Sequence, residues 1–262
     1  MRRTIKMILT GAVLAPVLVA GLIAGTGTAN AVANGEPVPI GKYTFAVKLT
    51  MTGIPTADGG RRNSACSGAL ISPEWIITAG HCFRTFDGVR VDFPPADLTT
   101  ATIGRTDLTG TGGHVVKVIA VQQSKTTDVA LAKLETRVTD IQPLRVGTVP
   151  AAIGSVVRIT GYGSLTSTNP VPATRLMTGQ MKVVSLTSSI TGLQGYAPQP
   201  NTTPCPYDSG APYFMEFRAN RPMLVAVVSD GPSCPHSQVE SGARTDNISD
   251  WILRVIGKRW RG

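Results

Sequence analysis

The chain is predicted to be all-β, a barrel or sandwich, with a single α-helix at its C-terminal end. Two observations predict the strands. Short β-type runs recur at residues 43–51, 69–71, 75–78, 115–121, 129–134, 156–160, 181–186 and 224–228. Turn-forming residues separate them, at Asp58-Gly59-Gly60, Asp87-Gly88, Pro94-Pro95, residues 110–113 and Asn169-Pro170. Many short strands with no helical period between them are the pattern of a barrel or sandwich. A third observation predicts the helix. Ile248, Trp251, Ile252, Val255 and Ile256 fall at i, i+3, i+4, i+7 and i+8, which is one helix face. Asp246 or Asn247 is placed to cap its start. Gly257 and the basic Lys258, Arg259 and Arg261 suit its end, where positive charge meets the helix dipole.

The first residues carry a different signal. Arg2, Arg3 and Lys6 form a basic head, and an apolar stretch follows to about residue 24. Ala29 and Ala31 then stand in the small-x-small arrangement that precedes a signal-peptidase cut. The apolar length alone would also permit a retained anchor, but the cleavage-type sequence favours a removed signal peptide over residues 1–31. The Arg2-Arg3 pair is a weak twin-arginine signal. A secreted, extracellular product is therefore predicted, with no stable membrane insertion after the cut.

Removing residues 1–31 leaves 231 residues and a formal charge of +6. That length suits two subdomains or one large all-β domain. The basic residues are scattered, without a stripe or aromatic-spaced groove, so no nucleic-acid partner is implied. Cys66, Cys82, Cys205 and Cys234 all lie in this part. An even count in an exported chain reads as two disulfides, and four cysteines allow three connectivities. The competing zinc reading lacks a C-x-x-C pair, so no metal and no organic cofactor is predicted.

Three stretches carry chemistry. In the first, an apolar strand ends in Thr78-Ala79-Gly80-His81-Cys82. A Cys66–Cys82 bridge would stiffen the base of that histidine, worth about 3 kcal/mol in the chain-entropy model. In the second, Asp128 stands at the mouth of the alternating strand Val129-Ala-Leu-Ala-Lys-Leu134. It can orient an imidazole and stabilise its charged form. In the third, Cys205-Pro206-Tyr207-Asp208-Ser209-Gly210-Ala211-Pro212 places a serine on a tight, crowded turn. A serine hydroxyl becomes a nucleophile only with a base in reach, an orienter behind that base, and donors aimed at the developing oxyanion.

These blocks, in this order, resemble the trypsin/chymotrypsin family of serine proteases, closest to secreted bacterial members. Residues 78–82, 128–134, 207–212, Gly161-Tyr162-Gly163 and Ser229-Asp230-Gly231 before Cys234 each resemble a family block. The likeness runs from Val32 to about residue 256. The resemblance implies two six-stranded antiparallel β-barrels, at about 32–140 and 150–245, linked near residues 136–151, with the helix at about 247–257. It implies a monomeric endopeptidase acting on proteins or peptides. It implies a catalytic triad of His81, Asp128 and Ser209, with Tyr207 and Ser209 N–H groups forming the oxyanion hole. It implies a substrate pocket at Thr203, Ser229, Asp230, Gly231 and Gly242, and the pairings Cys66–Cys82 and Cys205–Cys234. It also implies that the freed amine of Val32 inserts beside Asp208 and orders the oxyanion loop.

The departures from the family pattern are informative. Ala211 and Tyr207 replace glycines, and Tyr207 occupies the oxyanion-hole position. If that site needs positive φ, tyrosine there costs about 1–2 kcal/mol. Asp230 replaces an aromatic residue. Thr203 at the pocket floor predicts no strict preference for Arg or Lys, although Asp230 or Glu240 can supply charge from the rim. His114 reads as an exposed residue, and His236 reads either as bland or as a group at the pocket rim that favours acidic side chains. Asn201-Thr202-Thr203 and Asn247-Ile248-Ser249 match a glycosylation pattern with many chance hits.

Overall fold

Alternation of apolar and polar residues builds the first half of the chain. In a strand, every second side chain faces the same side, and such faces stack into a core when the sheet closes. The computed structural model describes residues 31–216 and 221–257. The predicted signal peptide lies outside them apart from Ala31. A two-residue strand, β1 (Glu36–Pro37), precedes six longer ones: β2 (Ala46–Pro55), β3 (Arg61–Ser72), β4 (Trp75–Ala79), β5 (Leu98–Ile103), β6 (His114–Gln123) and β7 (Val129–Leu134). These six form a closed antiparallel barrel in the order β2-β3-β4-β7-β6-β5. Leu49, Leu70, Ile76 and Ile103 share one face of this sheet and Ile77 and Leu131 the other, and all six are almost completely buried.

The second half repeats the architecture. After β8 (Arg145–Val146) come β9 (Val156–Gly161), β10 (Met177–Leu186), β11 (Ile190–Ala197), β12 (Pro212–Met215), β13 (Met223–Asp230) and β14 (Glu240–Arg244). The order β9-β10-β11-β14-β13-β12 closes on itself where β12 pairs with β9. The two short strands sit outside the ring, β1 on β10 and β8 on β13. The fold is thus two closed six-stranded antiparallel barrels.

An aromatic cluster joins the barrels. Phe214 of β12 meets Tyr43 at 5.1 Å and Phe45 at 5.3 Å between ring centroids, both edge-on. Such pairs add about 0.5–1.5 kcal/mol beyond their buried area. The cleft between the barrels is therefore set by packed, rigid rings.

The helix, α1 (Ser249–Val255), buries the predicted face. Ile248 and Ile252 enter the core, and Trp251, Val255 and Ile256 pack against it. The expected cap differs. A short 3-10 turn over Asp246–Ile248 precedes the helix, and no side chain caps it. Asp246 is instead taken by the Arg244 guanidinium, and Asn247 donates to the Ser188 carbonyl. The guanidinium engages both carboxylate oxygens, which leaves neither free for the cap. Gly257 ends the helix with φ of 72° as expected. The predicted basic residues Lys258, Arg259 and Arg261 lie outside the described residues. Among the described residues, no helix is long and apolar enough to cross a membrane.

Candidate active site

The register of two strands in the first barrel places His81 and Asp128. Strands β4 and β7 pair with Ala79 opposite Val129. The residues just past that pair, Gly80 and His81 on one strand and Asp128 on the other, must therefore meet. The Gly80 N–H donates to the Asp128 carbonyl at 3.1 Å, and the His81 N–H donates to Asp128 Oδ1 at 2.9 Å. The His81 ring lies on the same carboxylate, with Nδ1 2.7 Å from Oδ2. A carboxylate only accepts, so Nδ1 carries the hydrogen, and in the neutral ring Nε2 keeps its lone pair. The Cys66–Cys82 bridge pins the turn that bears His81.

Asp128 is well supplied with donors. The Ser229 hydroxyl, at the end of β13 in the other barrel, donates to Oδ2 at 2.8 Å. Arg90 Nη1 stands 3.8 Å from Oδ1. Burial by itself would raise this carboxyl's pKa. The hydrogen bond and charge of His81, the Ser229 hydroxyl and the His81 N–H together hold it below the usual value.

The second barrel supplies Ser209 on the turn between Cys205 and β12. The Asp208 N–H closes the turn on the Cys205 carbonyl at 2.9 Å, and the Ala211 N–H on that of Asp208 at 2.8 Å. The Ser67 N–H, from the first barrel, donates to the Ser209 carbonyl at 2.9 Å. Gly210 has φ of 82°, and a Cβ there would sit 2.0 Å from Thr78 Oγ1 and 2.5 Å from the Ala79 nitrogen. Only glycine lets the serine turn lie directly on the end of β4, next to the histidine turn. The Ser209 hydroxyl makes no hydrogen bond with a described residue.

The oxyanion position is open. Tyr207 adopts the left-handed conformation, φ 75°. The Pro206 carbonyl accepts the Ser164 N–H at 2.9 Å, and the Tyr207 carbonyl accepts the Ser67 hydroxyl at 3.0 Å. In a trans peptide the C=O and N–H point in opposite directions. The Tyr207 N–H is thus turned away from Ser164. Among the described residues, neither this N–H nor that of Ser209 finds an acceptor.

Asp208 lies completely buried behind the turn. It accepts the Gly163 N–H at 2.8 Å, the Cys205 N–H at 3.0 Å and the Val32 N–H at 3.3 Å. Burial nevertheless pushes its pKa up to about 6, against the pull of those N–H groups and of Lys48.

A cavity of about 330 Å³ opens beside Ser209. Ser229, Asp230, Gly231, the second disulfide (Cys205–Cys234) and Glu240 line it. Thr203 and Gly242 are buried and stand outside that lining. The Thr203 N–H pairs with the Ala33 carbonyl, and its buried hydroxyl has no hydrogen-bond partner among the described residues. A larger cavity, about 850 Å³, runs past Tyr43 and Glu216. It touches none of the residues above, and it holds neither a histidine nor a serine.

A trypsin family model matches residues 32–252. The chain belongs to the trypsin family. Among curated relatives of this trypsin-family chain, Glucanase inhibitor protein 1 of Phytophthora sojae is 28% identical, over 93% of this chain and 98% of its own length. The thrombin-like enzyme contortrixobin of Agkistrodon contortrix contortrix is 25% identical, over 86% of this chain and 96% of its own. A solved structure of HL collagenase superposes with a TM-score of 0.66 at 22% identity, covering 87% of this chain and all of that one. That likeness speaks to the fold.

Two trypsin-family neighbours of the site escaped sequence reasoning. Lys48 is buried in β2, with its ammonium 2.9 Å from the Tyr162 carbonyl and 5.7 Å from the Tyr207 ring centroid. Burial lowers its pKa to about 8, although the Asp208 charge pulls the other way. The available signal was a single charge inside the run Phe45-Ala46-Val47-Lys48-Leu49. Ser67 is the other: its N–H, its hydroxyl and its oxygen hold Ser209, Tyr207 and Tyr162 in turn. Nothing in the sequence marks it.

Proposed function

We propose that this trypsin-family chain is a secreted serine endopeptidase that cuts protein or peptide substrates through an acyl-enzyme. Ser209 Oγ attacks the substrate carbonyl. His81 Nε2 takes its proton and later gives it to the leaving amine. Asp128 holds the imidazole in that tautomer and stabilises its charged form. The Tyr207 and Ser209 N–H groups stabilise the oxyanion. The observation that carries the reading is the His81 Nδ1–Asp128 Oδ2 contact of 2.7 Å beside a serine turn with two N–H donors that no described residue claims. An open Ser209 hydroxyl fits an unliganded site, where catalytic hydrogen bonds commonly tighten only on substrate binding.

The same reading covers processing. The signal peptide, residues 1–31, is removed at Ala31–Val32, and residues 32–262 form the peptidase domain. The Val32 nitrogen already lies 3.3 Å from Asp208 Oδ2. Cleavage there turns that peptide N–H into an ammonium facing a buried carboxylate.

A second reading is a trypsin-family protein that binds a partner without cutting it. The likeness to Glucanase inhibitor protein 1 favours it, as does a tyrosine held in the left-handed region at the oxyanion position. A fluorophosphonate probe separates the two. Under the first reading it labels the folded protein once. Ser209→Ala abolishes labelling and His81→Ala slows it by a thousand-fold or more. A correctly folded, Val32-started protein that takes no label supports the second reading.

A further inference from the structure

Inside the cavity beside Ser209, one carboxyl stands out. Glu240 begins β14, and its side chain is only 3% exposed. His236 is 7% exposed and holds it, with Nε2 2.6 Å from Oε1. The Gln238 N–H donates to His236 Nδ1 at 3.0 Å. That ring nitrogen is therefore an acceptor, so Nε2 carries the hydrogen and donates it to Glu240. A neutral histidine fixes Oε1 but supplies no counter-charge to the ionised carboxyl. Oε2 is the free oxygen. It lies against Gly231 so closely that a Cβ there would sit 1.9 Å away, and it accepts no hydrogen bond from a described residue.

We propose that Glu240, positioned by His236, is the specificity-determining acid of this cavity, which receives the substrate's cationic side chain, lysine or arginine, on Oε2. The proposal rests on the endopeptidase reading. A buried charge without a partner is costly, and a cation that pairs with it recovers that cost. The groups around Glu240 make the selection depend on pH. His236 faces it from the loop before β14, Asp230 from the end of β13, Asp208 from the serine turn and Tyr213 from β12. Burial, with Asp230 and Asp208 adding to it, pushes the Glu240 pKa up to about 8. Below that, Oε2 carries a proton and the cavity accepts uncharged side chains as readily as cations. Above it, the carboxylate discriminates. Thr203, buried outside the lining, plays no part in the choice.

The test uses two matched ester substrates, one with lysine and one with norleucine before the scissile bond. The chain starts at Val32, and fluorophosphonate titration counts competent sites. Between pH 6 and pH 9 the lysine-to-norleucine ratio of kcat/KM should rise about tenfold or more. In Glu240→Gln the ratio should stay flat and low. His236→Leu removes the donor but keeps the acid, and should move the rise to higher pH. Benzamidine affinity, measured by calorimetry on Ser209→Ala, should rise over the same range without any turnover. A ratio independent of pH, or unchanged in Glu240→Gln, overturns the proposal while leaving the endopeptidase reading intact. A folded protein that turns over neither ester but binds benzamidine with the expected pH dependence breaks that reading and keeps the cation site.

Discussion

The two barrels contribute to one site in opposite ways. The first supplies His81 and Asp128 at the end of a strand pair whose register leaves them no choice but to meet. Its carboxylate has four donors or cations around it and is held below its ordinary pKa. The second supplies Tyr207, Asp208 and Ser209 on a turn. There the tyrosine has φ of 75°, and the carboxylate is fully buried and raised to about 6. One half is relaxed and the other carries cost. A costly conformation persists only when its surroundings over-determine it. Here those surroundings are the Cys205–Cys234 bridge, Ser67, Ser164, Lys48 and the nitrogen of Val32. Any switch between latent and competent states will act on the second half, because the first has nothing to gain by moving.

The largest effect that sharpens this contrast comes from the relaxed half. Asp128→Asn keeps the size of the side chain and most of its contacts, but an amide can donate to the ring nitrogen and trap the wrong tautomer. We expect a drop of about ten thousand-fold in kcat, with His81 still seated on the turn. Thermal unfolding checks that the fold survives. The sign with pH is fixed too. A carboxyl depressed in the folded state contributes stability above its unfolded pKa of 3.8, lost as pH falls through the lower folded value. Asp128→Asn should therefore flatten the acid limb of stability. A loss in kcat of less than tenfold would mean that Asp128 does not orient His81 for catalysis.

The costly half gives the next effect. For Asp208 the sign is reversed, because its folded pKa of about 6 lies above 3.8. The native state holds the proton more tightly. Stability contributed by this group is thus present at low pH and falls as pH rises from about 4 to 6. Two units correspond to at most about 3 kcal/mol. An ammonium at Val32 opposes that shift. We expect a chain starting at Val32 to show a shallower decline than one with an extra residue before it, read from denaturant midpoints between pH 4 and 7. Equal declines would mean that the freed amine does not pair with Asp208.

The sequence revealed the relaxed half better than the costly one, for a physical reason. His81 and Asp128 end apolar strands, and such strands announce themselves by alternation. Strands β3, β4, β6 and β7 were legible in the same way. The strands β5, β11, β12 and β14 were not. Leu98-Thr-Thr-Ala-Thr-Ile103 is weakly apolar, Ile190-Thr-Gly-Leu-Gln-Gly-Tyr-Ala197 is broken by glycines, and Glu240-Ser-Gly-Ala-Arg244 begins with an acid that the sequence places only at the pocket rim. Its burial follows only from closing the second barrel. The same closure buries Glu240 in the lining of the cavity and Lys48 beside Asp208. Lys48 and Asp208 stand more than a hundred positions apart in the chain, and no local pattern encodes their partnership.

The smallest expected effect tests whether Tyr207 is a burden or a block. Holding a tyrosine in the left-handed region costs about 1–2 kcal/mol. Tyr207→Gly removes that cost. It also loses the ring's contacts with Pro170 and Lys48, and glycine pays more backbone entropy on folding, about 0.5–1 kcal/mol. These terms oppose one another, so stability should change by less than about 1 kcal/mol. For turnover the argument is geometric. The Pro206 carbonyl is tied to Ser164 and the Tyr207 carbonyl to Ser67, so the N–H is turned outward without help from a glycine. Nothing remains for the substitution to repair. On a small ester, with competent sites counted by label, kcat should change by less than about tenfold. An absent oxyanion donor typically costs a hundred-fold or more. A gain of that size in Tyr207→Gly would mean the peptide is flipped in solution and the wild-type hole is closed. The strain in the second barrel would then be a lock on a latent protein, and the reading as a binding protein would gain accordingly.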